Sequence, residues 1–282
     1  MTADAETERH GGPDLPPPAR APERLRLGGM ALRNGLLVHG PTHWAAAIRA
    51  RDGSIQVASG RRPRVHALDG IAGLRGLARL GEALVVLPVV KRAMPAARMP
   101  FESAGLMSVV AGTAAGAAVI RRQGRGRLGA EAAAAGLGFV PALAALSTGE
   151  LAAYHGAEHK AIGAYEAGGV EAAAASKEHD RCGSHLIAPM LAANLAGLAL
   201  LRHVVARPGP LAGGAVTLAS TGVAVELLGW AERHSRSSLA RTLRRPGHAL
   251  QRAIGTREPT ADQLEVGEAA LAEILRRETG AG

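Results

Sequence analysis

The stretch YHGAEHKAIGAYEAG, residues 154–168, places two histidines four residues apart, with a glutamate directly before the second. On a helix, His155 and His159 share one face, so both rings can reach a single metal ion. Glu158 lies near that face, where a carboxylate can accept a proton from a metal-bound water. The order His-x-x-Glu-His is that of the inverted zincins, which need a third protein ligand. These residues predict a metal site with Glu158 as a catalytic base.

The third ligand has several candidates in the chain. Glu166 is close in sequence, and the segment HDRCGSH, residues 179–185, supplies His179 and Cys182, which are softer ligands suited to zinc. Glu226 lies farther along, within an apolar stretch. A carboxylate inside a membrane span is costly, so it is a functional candidate by default. The alternatives are a protonated glutamate or one that pairs with Arg233 or another arginine at a helix end.

A simpler interpretation of the histidines stays open. Two histidines on a helix often form a polar face or hydrogen-bond within a core, and a five-residue pattern also arises by chance. In that case no metal binds, and replacing His155 with glutamine is tolerated. The presence of HGAEH and HDRCGSH on either side of a short connection favours the metal site.

Four apolar segments follow one another in the middle of the chain, at 104–120, 132–146, 186–201 and 211–231. A membrane-spanning helix needs about 20 mostly apolar residues, and three of these segments are shorter. An Ala-rich soluble helical core is the alternative. Four such segments in succession, with small residues at helix-packing spacing and arginines just outside them, favour a membrane domain at 101–231.

The distribution of basic residues predicts the orientation of these spans. Lys and Arg number three in 91–103, three in 147–184 and six in 232–252, against six on the opposite side in 121–127 and 202–207. The positive-inside rule therefore places the termini and the 147–184 loop, with its His-x-x-Glu-His motif, in the cytoplasm. The four arginines of 121–127 oppose this assignment, and one short segment could instead be re-entrant or interfacial.

The flanking regions predict smaller units. Residues 1–24 are polar and Pro-rich, without an apolar stretch, and are expected to be a disordered tail. Residues 25–100 predict a small cytosolic β-containing lobe, with a hairpin at Asp52-Gly53 and a following helix at 73–90. In the cytosolic helical tail at 232–282, Thr260 and Gln263 form a capping box ahead of an amphipathic helix, which packs on that lobe or binds a partner.

The composition narrows the function classes. The net charge is +9, but only three of the basic residues are lysines and the chain is rich in Ala and Gly, which indicates nucleotide bias in its gene. The chain has two Trp, two Tyr and two Phe, so base-stacking surfaces are scarce, and we expect no nucleic-acid partner. With Cys182 as the single cysteine, no intrachain disulfide is possible.

Several motifs taken in order resemble the YqhQ family, bacterial membrane proteins of unknown function that are often described as predicted metal-dependent enzymes. They are YHGAEHKAIGAYEAG, HDRCGSHL, VAVELLGWAERH and PGHALQRAIGTREPTADQLEVGEAAL. The opening GGMALRNGLLVHG resembles that family's first motif, but Met30, Asn34 and His39 stand where Gln, Glu and Arg are usual. The resemblance covers about residues 25–276 and supports His155, Glu158, His159, His179 and Cys182 as site residues, without implying a substrate.

Together these observations predict a mainly α, polytopic membrane protein with about four spans, a small N-terminal β-containing lobe and a C-terminal amphipathic helix. The first functional hypothesis is a zinc-dependent hydrolase in the bacterial inner membrane, with Glu158 as base and Glu226 or the pair His179 and Cys182 completing the site. The second is a non-enzymatic scaffold or transporter-like subunit with a structural metal or polar site. Under both hypotheses, the expected partners are the lipid bilayer and a membrane protein or a second copy of the chain.

Overall fold

The computed structural model describes residues 24–64, 67, 70, 71, 73–124, 127–205 and 209–280. Apart from Arg24, the expected disordered tail lies outside the described residues. So do Arg125 and Arg207, which contributed to the charge count on the second side of the membrane.

An antiparallel four-stranded sheet opens the described chain, with its strands in sequence order. The strands are β1 (Gly28–Leu32), β2 (Gly35–His39), β3 (His43–Arg49) and β4 (Ile55–Arg61). The predicted hairpin is confirmed: β3 pairs with β4, Gly53 has a φ of 85°, and the Asp52 carboxylate accepts hydrogen bonds from the backbone and hydroxyl of Ser54. An Asp side chain that binds backbone two residues on, followed by a glycine at positive φ, is typical of such a turn.

The sheet is buried on both faces because its strands alternate between two apolar clusters. Leu36, Val38 and Ala47 point toward helices α5 (Gly149–Glu166) and α9 (Ala261–Glu278). On the other face, residues of the sheet pack with the second half of α1 (Leu74–Ala93) and the segment after it; these are Leu32, Leu37, Trp44, Ala46, Ile48, Val86, Val90, Met94, Ala97 and Met99.

Four helical stretches in the described residues are long and apolar enough to cross a membrane, at Ala104–Gln123, Leu128–Ser147, Gly183–Val204 and Leu211–Arg233. Their helices are α2 (Ala104–Gln123), α3 (Leu128–Leu137), α4 (Val140–Ser147), α6 (Ile187–Val204) and α7 (Pro210–Arg233). The second stretch is interrupted: α3 ends at Gly138, and α4 begins with Pro141 in its first turn, a position where proline costs no hydrogen bond.

The connection at 147–184 is not a plain loop, because nearly half of it forms α5, followed by a short 3-10 turn at Ala172–Ala174. Another 3-10 turn, Gly183–Leu186, leads into α6. After α7 come α8 (Ser238–Leu250), a π-helical turn at Gln251–Gly255, and α9. The capping box of Thr260 and Gln263 is confirmed at the start of α9, which packs on the sheet and on α5.

Candidate metal centre

Helix α5 is enclosed by the rest of the protein, and twelve of its eighteen residues are buried. Small residues permit this enclosure. A Cβ at Gly156 would lie 2.1 Å from the carbonyl oxygen of Arg257, so only glycine lets the chain before α9 pass over the helix. On the neighbouring face, a Cβ at Gly267 of α9 would lie 3.2 Å from the carbonyl oxygen of Ala157. The histidine-bearing helix is therefore held against α9 at backbone distance.

Three side chains converge at the centre of α5. One ligand atom each of His155, His159 and Cys182 lies within 4.8 Å of the other two, and the Cys182 Sγ is 3.5 Å from the His155 Nε2. The Nδ1 of His155 donates to the carbonyl of Gly255 and the Nδ1 of His159 to that of Lys177, both at 2.7 Å. These bonds assign the proton to Nδ1 in each ring, which leaves the Nε2 lone pairs for a metal.

Glu158 lies beside this cluster and is buried. Its Oε2 is 3.9 Å from the His155 Nε2. Gly29 of β1 covers the carboxyl group, since a Cβ at that position would lie 2.5 Å from Oε1. Burial raises the pKa of Glu158 to about 7, so near neutral pH the carboxyl group can both accept and release a proton.

Burial shifts the pKa values of the candidate ligands His159 and Cys182 in opposite directions. Burial lowers the pKa of His159 to about 2, so this imidazole is neutral and able to bind a metal. Burial raises the pKa of the Cys182 thiol. A bound cation would reverse this, because a coordinating thiol is deprotonated by the charge of the metal.

His179 lies next to the cluster rather than within it. Its ring is 5.6 Å from that of His159, measured between centroids, and its Nε2 is 3.1 Å from the carboxylate of Glu166. Glu166 also binds Arg181. The Glu166 carboxylate is therefore bound by two neighbours, His179 and Arg181. The His179 ring lies beside that of His159 and outside the three-residue cluster.

Glu226 is placed elsewhere. Its carboxylate on α7 accepts hydrogen bonds from the Nε of Arg75, at 2.8 Å, and from the backbone N–H of Gly73, at 3.1 Å. It therefore pairs with an arginine, one of the alternatives that the sequence left open, although the partner belongs to the start of α1. The structure brings together His155, His159, Cys182 and Glu158, and it leaves Glu226 outside this group.

In the opening motif, Asn34 and His39 make contacts with nearby turns and strands. The Asn34 side chain donates to the carbonyls of Arg49 and Ala96 at 3.2 and 3.1 Å and accepts from the backbone of Arg98, so it joins two turns. His39 packs beneath Gly28 and is 3.3 Å from the Nη1 of Arg62. The contribution of this motif to the site is Gly29 of β1, which the sequence did not connect with Glu158.

Gln251 was also missed, although it is fully buried and holds the segment that carries Cys182. Its Oε1 accepts from the backbone N–H of His179 at 2.8 Å, and its Nε2 donates to the His179 carbonyl and the Ser184 hydroxyl at 3.2 and 2.9 Å. Gln251 opens the π-helical turn whose last residue, Gly255, accepts from His155. One turn thus positions two ligands, and π-helical turns occur frequently at functional sites.

One protein family matches the part of the chain that contains this cluster. A family model described as "Protein of unknown function (DUF1385)" matches residues 144–277. Residues 144–277 fit an uncharacterised protein family. The match includes α5, Cys182 and Gln251, and it does not carry the YqhQ name that the motifs suggested. No curated protein and no solved structure matches the chain.

Proposed function

We propose that this protein is a membrane-bound, metal-dependent hydrolase whose metal is held by His155, His159 and Cys182. The observation that carries the proposal is the convergence of these three ligand atoms within 4.8 Å beside a buried carboxyl group. Three protein ligands leave a fourth position for water or substrate, which is the arrangement of catalytic rather than structural zinc sites.

Zinc is the metal that this ligand set favours. Two neutral imidazoles and one thiolate are borderline-to-soft donors, which suit zinc better than magnesium or calcium. The backbone carbonyls of Gly255 and Lys177 fix the orientation of both rings. Such outer partners usually raise the basicity of the ligand and the affinity of the site.

Glu158 would act as the general base and then as the general acid. A zinc ion supplies a lower pKa for water and polarisation of the scissile carbonyl. Glu158 takes the proton of the water as its oxygen bonds to the substrate carbon. The same proton then passes to the leaving group as the bond to that group breaks, so Glu158 ends in its starting state.

We place the protein in the bacterial cell membrane, with the sheet, α5 and the C-terminal helices in the cytoplasm. The excess of Lys and Arg on the α5 side supports this orientation. The arginines at the opposite ends of the spans count against it, and two of them, Arg121 and Arg202, bind Glu131. A hydrolase with this orientation would act on a peptide or a lipid-linked substrate close to the cytosolic face.

A structural metal site in a non-enzymatic scaffold or transporter-like subunit is the second candidate function. The enclosure of Glu158 beneath Gly29 favours it, because closed sites are typical of structural metals. The two functions differ at Glu158: a hydrolase needs this carboxyl group for turnover and not for metal binding, whereas a structural site needs the ligands for folding.

Elemental analysis of the detergent-purified protein tests the proposal. We expect about one zinc per chain in the wild type and in Glu158→Gln, and a loss of zinc in the double variant His155→Ala/His159→Ala. In a deletion strain, Glu158→Gln should fail to complement, while the exposed control Glu171→Gln should complement fully. Absence of metal from folded, zinc-supplemented protein would contradict the metal site. Full complementation by Glu158→Gln with zinc retained would contradict the hydrolase and favour the non-enzymatic scaffold.

A further inference from the structure

Helix α8 lies across the ends of two membrane-spanning helices. Leu243 and Arg244 of α8 line a small cavity together with Pro189 of α6 and Leu227 of α7. Arg244 Nη2 also donates to the carbonyl of Ala231, near the end of α7, at 2.6 Å. These contacts place α8 at the level where the spans leave the membrane, since α7 ends at Arg233 and α8 begins five residues later.

The inner face of α8 is already engaged by protein. Ala240, Arg244 and Gly247 are buried. The Arg244 guanidinium binds the Asp180 carboxylate at 2.7 Å, and the carbonyl of Arg244 accepts from the Nδ1 of His185 at 3.0 Å. This face therefore holds the segment that carries Cys182, and it is not free for a further ligand.

The outer face of α8 and the connection before it are basic, and no described acidic residue pairs with them. Arg236, Arg241 and Arg245 are exposed, and residues 233–252 contain no Asp or Glu. Within the described part of the chain, the one hydrogen bond from these three side chains runs from Arg241 to the carbonyl of Arg236, at 3.2 Å. Leu239, in the first turn of α8, is 56% exposed.

We propose that the basic surface formed by Arg236, in the connection before α8, and by Arg241 and Arg245 of α8 binds the headgroups of acidic phospholipids. Basic clusters directly after a membrane span attract anionic lipids, and each Arg near the surface adds to the attraction. The exposed Leu239 favours a lipid over a soluble anion, because an apolar side chain at the level where the spans end can insert at the boundary of headgroup and acyl chain. This surface depends on the membrane location and not on the proposed hydrolase activity.

Native mass spectrometry of the full-length protein in a neutral detergent tests this surface. The protein is titrated with phosphatidylglycerol and, separately, with phosphatidylcholine. The test variant is Arg236→Gln/Arg241→Gln/Arg245→Gln. The matched control, Arg51→Gln/Arg61→Gln/Arg92→Gln, removes the same charge from exposed positions of the sheet lobe and the end of α1. A third variant with Lys at the same three positions retains the charge and serves if the Gln variant does not fold.

We expect the wild type to bind phosphatidylglycerol more tightly than phosphatidylcholine. The Gln variant should bind phosphatidylglycerol about tenfold more weakly than the wild type does. The control and the Lys variant should stay within about twofold of the wild type, and added salt should reduce the preference because it screens exposed charges. Equal binding of the two lipids by the wild type would overturn the proposal. So would a preference that survives in the Gln variant.

Discussion

Helices α5 and α2 are built from similar small residues and meet opposite surroundings. In α5 twelve of eighteen residues are buried by other parts of the protein, whereas in α2 only Leu106 and Ala117 are. The glycines of α5 admit neighbouring backbone, as Gly156 does beneath Arg257, but a Cβ at Gly105 or Gly112 of α2 would meet nothing within 4 Å. The same residues thus serve close packing around a polar site in one helix and an outward apolar face in the other.

The two regions also differ in the surroundings that suit their surfaces. Helix α5 buries a glutamate, a histidine and a lysine, and each has a protein neighbour: His155 for Glu158, Lys177 for His159 and Glu258 for Lys160. Buried polar groups need such partners. The candidate spans expose apolar surface that water would penalise and a bilayer would accept. Substitutions in the two regions should therefore have different consequences.

The largest effect is expected for a charge on the outward face of α7. Leu218 is 62% exposed, so in water Leu218→Lys would be nearly neutral, whereas in a bilayer it should cost about 3 kcal/mol of insertion free energy near the middle of a span. The amount of protein in carbonate-washed membranes measures this. Ala272→Lys, on the exposed face of α9, is the control and should accumulate normally. Equal membrane levels of both variants would place α7 outside the bilayer.

A smaller effect is expected at Gln251, which supports the site without touching the metal. Gln251→Ala removes three hydrogen bonds to the segment that carries Cys182, and zinc affinity should fall by about 10- to 100-fold. Competition with a chelator of known affinity measures the change. Gln56→Ala replaces an exposed glutamine of the sheet and should bind zinc like the wild type. Unchanged affinity in Gln251→Ala would show that the Cys182 segment is held by its other contacts.

Gly29 tests how tightly the sheet covers Glu158. A Cβ at this position would lie 2.5 Å from the carboxylate, so Gly29→Ala should destabilise the protein by about 1 kcal/mol through overpacking. Gly81→Ala in α1, where a Cβ meets nothing within 4 Å, should instead stabilise it by a similar amount, about 1 kcal/mol, because alanine favours helix. Thermal unfolding in detergent compares the two. A tolerated Gly29→Ala would mean that Glu158 has room to move.

The smallest effect concerns the edge of the aqueous lobe, at Glu278. Burial acts to raise the pKa of this carboxyl, but hydrogen bonds from Thr42 and His43 outweigh it, so the pKa lies below its ordinary value. A depressed pKa contributes stability above the ordinary pKa of Glu, and this contribution is lost as the pH falls through the folded value. We expect less than about 1 kcal/mol, because the group is partly solvated.

Unfolding of the wild type and Glu278→Gln at neutral and acidic pH measures this contribution. The difference between the two proteins should be present at neutral pH and should disappear in acid. A difference that persists below the folded pKa would mean that the side chain acts by packing and not by charge.

Local patterns predicted much of the fold because they depend on neighbours in sequence. The Asp52-Gly53 hairpin, the capping box at Thr260 and the four apolar stretches are each determined within a turn or a single helix. The spacing of His155 and His159 likewise follows from the helical period. The break between α3 and α4 was missed, although Gly138 and Pro141 mark it, because the segment was judged by its apolar character alone.

The sequence by itself determined that α5 would present His155, Glu158 and His159 together, because helical geometry relates residues three and four apart. Only the tertiary structure shows which of the candidate third ligands lies beside the two rings. It brought Cys182 to the two rings, placed His179 behind them and paired Glu226 with Arg75. It also recruited Gly29 and Gln251, which are distant in sequence. These choices depend on long-range packing of the sheet, α5 and the π-helical turn, which no local spacing encodes.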